Sequence, residues 1–264
     1  MSFLTVNQIA AGYGEKNIIE NISFGLESGC LMGILGANGS GKTTLIKALC
    51  GILPHQGKCT LEDAVLEELS PKQIAKIISY IPQRSGISID ISALDVVLMG
   101  FNPYLGLLER PTSAMKKTAE NALSEVGLAG KENDNYMHLS EGQKQLCILA
   151  RTLVSDSKLL LLDEPESALD FRFRYQMLSL LRNRISESHC SAVVALHDPS
   201  LALNCCDKLL LLSDGGVAGV VDPKNDPLSE TEEMLRKLYG NVSLQICKNR
   251  KGVSQIVMLR EDEI

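Results

Sequence analysis

Residues Gly36 to Thr43 read GANGSGKT, which fits the spacing G-x-x-x-x-G-K-[ST]. Each residue type there has a task in holding a phosphate chain. The glycines permit a backbone curl whose N–H groups converge, and a helix start adds positive potential. Lys42 sets a charge against the outer phosphates, and the Thr43 hydroxyl can ligate magnesium. A Gly-rich turn can meet this pattern by chance, but the apolar run before it and the helical pattern after it supply the context that the motif requires.

Asp163 and Glu164 close the run KLLLLDE, so two carboxylates stand where a strand ends. In open α/β sheets ligands bind at that edge. One acid can hold a magnesium shell and the next can orient a water for attack on a phosphate. His197 follows SAVVAL in the same manner and could contact a terminal phosphate, whereas His55, His138 and His189 have no comparable placement. Gln83 ends the short run YIPQ, but spacing alone does not separate it from a solvated loop glutamine. Ser140 to Gln143 matches the capping box S-x-x-Q, which a well-capped helix explains. Gly142 is left over, because glycine in a first helical turn costs up to about 1 kcal/mol relative to alanine unless something must come close.

The elements that carry these residues follow from periodicity. The first thirty residues mix short apolar alternations with turn signals and read as antiparallel strands. CLMGILG is a buried-strand run, and TTLIKALCG a helix closed by Gly51. From Ser70 to about Leu153, SPKQIAKIISYI and TSAMKKTAENALSEVGLAG show helical spacing behind capping residues. KLLLLDE and SAVVALHD are then strands separated by a helix around RYQMLSLLRNRISE, an alternation that implies parallel strands with crossover helices. The tail LQICKNRKGVSQIVMLRE reads as a hairpin.

Composition narrows the partners. A chain of 264 residues, 45% apolar, buries a substantial core. Its net charge of −6 argues against a nucleic-acid partner. No apolar run approaches the roughly 18 to 20 residues of a membrane span, and the amino terminus lacks the pattern of a secretory signal. A cytoplasmic location is expected. Eight scattered cysteines without a C-x-x-C suggest core thiols in a reducing compartment rather than disulfides or zinc.

In order and across nearly the whole chain, these segments resemble the ATP-binding subunit of ABC transporters. The family's LSGGQ signature stands here as Leu139, Ser140, Glu141, Gly142, Gln143. The resemblance implies an α/β P-loop NTPase fold with a mainly parallel central sheet, an antiparallel β subdomain and an inserted helical subdomain. It implies one ATPase domain over 1–264: a nucleotide-binding core at 1–83 and 156–240, a helical signature subdomain at 84–155 and a C-terminal hairpin at 241–264. ATP would sit on Gly36, Ala37, Asn38, Gly39, Ser40, Gly41, Lys42, Thr43 and Thr44, with Tyr13 against the adenine. Mg2+ would be held by Thr43, Gln83 and Asp163, and the catalytic set would be Glu164, His197 and Lys42.

A second copy, stacked head to tail, would bring Ser140, Gly142 and Gln143 onto the nucleotide, with Asp170 of the stretch SALD touching the partner subunit. Two positions depart from the family pattern: Glu141 replaces a glycine and is expected to point away from the nucleotide, and Glu166 replaces a common threonine. ELSPKQIAKIISYIPQ, VLMGFNPYLGLLERP and LHDPSLALNCCDKLLLLSDG further resemble importers for iron siderophores, heme and cobalamin. That likeness implies integral membrane permease subunits, indirectly an extracytoplasmic solute-binding protein, and a place on the inner face of the cell membrane. An ABC ATPase of another importer class, or a soluble one outside transport, is the alternative.

Overall fold

The computed structural model describes residues 2–106, 108–188 and 190–262; His189 and the last two residues of the expected hairpin segment lie outside them. The chain forms two compact units, one built from the residues up to Glu67 and those from Val193 on, the other from Glu68–Ala192.

In the first unit, β1 (Leu4–Tyr13) pairs antiparallel with β2 (Lys16–Leu26), and the alternation of the sequence decides which side chains are buried. β3 (Leu31–Gly36) has no polar side chain and is buried throughout. It runs into α1 (Lys42–Leu49), whose Leu45, Ile46, Ala48 and Leu49 enter the core. β4 (His55–Leu61) returns antiparallel to β1, and β5 (Ala64–Val65) closes a short hairpin on it.

The second unit begins with α2 (Pro71–Ile77) and passes directly into β6 (Ile78–Ile81). Helical spacing over SPKQIAKIISYI therefore holds only as far as Ile77. From Ile78 the chain pairs in parallel with β7 further on, a tertiary partner that outweighs local periodicity. α3 (Ala93–Leu98), α4 (Ser113–Glu125) and α5 (Glu141–Leu153) pack on one another through Val96, Val97, Ala119, Leu123, Cys147 and Ile148. β7 (Leu159–Asp163) is wholly buried, and α6 (Phe171–Ser188) follows it.

β8 (Ser191–Ala195) carries the chain back into the first unit. There α7 (Pro199–Cys205), β9 (Lys208–Ser213), β10 (Gly216–Val221) and α8 (Leu228–Tyr239) follow. β9 lies parallel to β3 and antiparallel to β10. β11 (Val242–Lys248) and β12 (Ser254–Arg260) form a hairpin in regular antiparallel register. Asn204 of α7 anchors it, donating to the Ile256 carbonyl at 2.7 Å and accepting the Ile256 N–H at 2.9 Å. The α/β class, with parallel pairs beside antiparallel β structure and a helical segment, is thus the one the chain adopts.

All eight cysteines are free thiols, five of them buried. Among the described residues no helix is long and apolar enough to cross a membrane.

Candidate functional site

The loop between β3 and α1 is shaped by left-handed backbone at Gly39, φ 83°, and Gly41, φ 101°. A Cβ on Gly41 would fall 2.2 Å from Ile19 Cγ2, so both conformation and space demand glycine there. Gly41 is also the N-cap of α1 and offers no side-chain acceptor, and no acid lies in the first turn. A helix start without a side-chain acceptor at its cap suits a bound anion. Lys42 is buried at 4% exposure, and its Nζ donates to the carbonyls of Gly36 at 2.9 Å and Ala37 at 3.4 Å. Ser40 Oγ is buried with no hydrogen-bond partner among the described residues. A buried cation among loop carbonyls, a buried hydroxyl with no partner among the described residues and a helix start without a side-chain cap all fit a phosphate chain.

Tyr13, at the end of β1, is 53% exposed. Together with Ala11, Gly12, Asn17, Pro54 and His55 it lines an open depression of about 440 Å³. His197 is exposed and follows Leu196, whose N–H donates to the Ile34 carbonyl at 3.0 Å. It therefore sits beside the strand that runs into the glycine loop. The next residue, Asp198, caps α7 through the Leu201 N–H.

In the second unit Asp163 and Glu164 are both buried, at 2% and 7% exposure. Glu164 takes φ 49°, a backbone region that costs a non-glycine residue energy and that clusters at functional turns. Gln83 Nε2 donates to Glu164 Oε2 at 2.7 Å. The parallel register explains this meeting: Ile81 pairs with Leu162, so Gln83 and Glu164 each stand two residues beyond the last pair. Sequence spacing alone left Gln83 as an unremarkable loop residue. The register of β6 on β7 is the signal that singles it out.

Ser140 caps α5. Its Oγ accepts the Gln143 N–H at 3.3 Å while Gln143 Oε1 accepts the Ser140 N–H at 3.0 Å, so the box closes in both directions. The Glu141 side chain is 78% exposed and turned back to Lys144 on its own helix, at 2.8 Å. Gly142 has an internal neighbour that sequence reasoning missed, since a Cβ there would lie 3.4 Å from the Ala168 carbonyl oxygen. Asp170 caps α6 by accepting the Phe173 N–H at 3.0 Å, and Glu166 is buried at 1% exposure.

Comparison with known proteins agrees with this geometry. The ABC transporter family matches residues 19–167. A hemin import ATP-binding protein of Bordetella pertussis is 35% identical over 90% of this chain and 92% of its own length. An uncharacterized ABC transporter ATP-binding protein of Bacillus subtilis is 33% identical over 88% of this chain, but the chain spans only 52% of that relative. A solved structure described as a metal-chelate type ABC transporter in an inward-facing conformation is 29% identical, with a TM-score of 0.82 over 99% of both chains. The family match over more than half of the chain and the hemin import relative lead to one conclusion: the chain belongs to the ABC transporter family.

Proposed function

We propose that this chain powers the import of a metal chelate, an iron siderophore or heme, or of cobalamin, through a separate membrane permease. The observation that carries the cargo class is the likeness to a metal-chelate type transporter, which covers 99% of this chain. The hemin import relative supports it independently. On this reading the chain sits at the inner face of the cell membrane, held there by the permease. The helical segment at 84–155 takes up the permease contact, and an extracytoplasmic binding protein delivers the solute. The nucleotide-binding core is 1–83 with 156–240, and 241–264 is an accessory hairpin.

In mechanism, the phosphates of ATP lie on the N–H groups of Gly36, Ala37, Asn38, Gly39, Ser40 and Gly41 and of the helix start at Thr43 and Thr44. Lys42 exchanges its two carbonyl partners for phosphate oxygens, a charge-assisted bond for a neutral one. Tyr13 packs against the base. Thr43, Gln83 and, through water, Asp163 would hold Mg2+, which when bound spreads the charge of the transferring phosphoryl group. Glu164 accepts a proton from the attacking water and His197 contacts the terminal phosphate.

Gln83 Nε2 donates to Glu164 Oε2, so a water activated by that oxygen takes the place of the Gln83 amide. A second copy contributes Ser140, Gly142 and Gln143, with Asp170 at the contact. Each nucleotide then belongs to two chains, and its differential affinity for the closed pair is what moves the permease.

Glu164→Gln tests the chemistry. The variant should bind ATP and accumulate as a closed dimer while phosphate release falls by about a hundredfold or more. Normal turnover would remove Glu164 from the role. For the cargo, a strain lacking this chain should lose uptake of hemin, ferric siderophores or cobalamin, measured one at a time. Undiminished uptake of all three would refute the assignment.

A further inference from the structure

Away from the loop and the acids, the first unit gathers an imidazole, a thiol and a carboxylate. His55 opens β4, Cys59 lies four residues on, and Glu67 belongs to a 3-10 turn, Leu66–Glu68, reached through the β4–β5 hairpin. β4 is kinked between the first two at Gly57, φ 94°, where a Cβ would fall 2.4 Å from the Gln8 carbonyl oxygen. His55 Nε2 lies 2.9 Å from Glu67 Oε1, and the same oxygen accepts the Cys59 backbone N–H at 2.7 Å. One ligand atom from each of the three side chains lies within 4.8 Å of the other two. Cys59 is fully buried, while the side chains of His55 and Glu67 are 10% and 28% exposed. The thiol forms the floor and the other two the rim through which an ion would enter.

We propose that His55, Cys59 and Glu67 form a binding site for a zinc-like divalent cation, with a fourth position left to water. Zinc takes nitrogen, sulfur and oxygen donors in a four-coordinate shell, and three protein ligands plus water is one of its habitual arrangements. Magnesium and calcium prefer oxygen alone, so a thiol floor selects against the cation that accompanies ATP. On binding, the S–H bond breaks, its proton passes to water, and a sulfur–metal bond forms. The three ligand atoms already lie within 4.8 Å of one another, and an ion would take the place of the hydrogen bond between the imidazole and the carboxylate. His55 also lines the depression beside Tyr13, so an ion here would fix one wall of it. The site does not depend on the transport assignment.

Cobalt titration of the full-length chain in chelator-free buffer, followed by zinc, is the test. One equivalent of Co2+ should give a thiolate-to-cobalt charge-transfer band with the ligand-field bands of a four-coordinate ion, and Zn2+ should abolish both. Cys59→Ala should lose the charge-transfer band, whereas Cys247→Ser, at an exposed cysteine, should keep it. His55→Gln and Glu67→Gln, at the rim, should each weaken binding by at least the roughly tenfold loss typical of altered metal surroundings. Absence of the band in the parent chain, or its persistence in Cys59→Ala, overturns the proposal. If Cys59→Ala does not fold, unchanged affinity in both rim variants overturns it equally.

Discussion

At the residue scale, Gly142 can be tested for whether the isolated chain or a partner copy requires glycine there. Its internal neighbour, the Ala168 carbonyl at 3.4 Å, is at ordinary contact distance from a Cβ, so alanine fits the isolated chain. Gly142→Ala should therefore fold and gain up to about 1 kcal/mol of stability by helix propensity, as read by denaturant unfolding. If a partner copy closes over this backbone, phosphate release should nevertheless drop by about a hundredfold, the scale of an ångström's misplacement. Retained activity would count against a partner copy closing over this backbone.

The pattern of the glycine loop is legible because its residues are consecutive. Spacing alone does not mark Gln83, which only the family resemblance names, because 81 positions separate it from Glu164 and strand register sets the two opposite each other.

At the element scale, the chain uses one device twice. Ser70 with Gln73 caps α2 by the same two-way box as Ser140 with Gln143 caps α5. Ser70→Ala and Ser140→Ala should each cost about 1 kcal/mol. Only the second should abolish ATP-dependent dimerisation, measured by sedimentation with the Glu164→Gln background. Equal effects on dimerisation would reduce Ser140 to a cap.

The same caps were readable in the sequence, since they need residues only three apart. The end of α2 was not. Ile77 and Ile78 continue an apolar pattern that suits a helix or a buried strand alike, and the choice falls to β7, which offers Ile78 a parallel partner in Leu159.

At the scale of the whole molecule, burial sets an alkaline limit. Cys147 and Tyr239 are pushed up to about 12, in each case first by burial, from ordinary values of 9.0 and 10.0. Both folded values are raised, so the stabilisation is complete below pH 9 and lost as pH climbs from there towards 12. Urea midpoints should fall over that range, and Tyr239→Phe should flatten the part above pH 10. Activity per chain should also rise with chain concentration if each reaction centre is shared between two copies; a constant value under dilution would count against that sharing.

By itself the sequence determined what depends on near neighbours along the chain: the glycine turn before α1, the acids that end β7, the helix caps and the membership of an ATPase family. Only the tertiary structure decided what meets across distance. It set Gln83 on Glu164, laid the Ala168 carbonyl against Gly142, and drew His55, Cys59 and Glu67 together around a kinked strand. The physical reason is that periodicity and spacing fix which face a residue takes within its own element, whereas strand register and turn closure, set by pairing between distant segments, choose its neighbours.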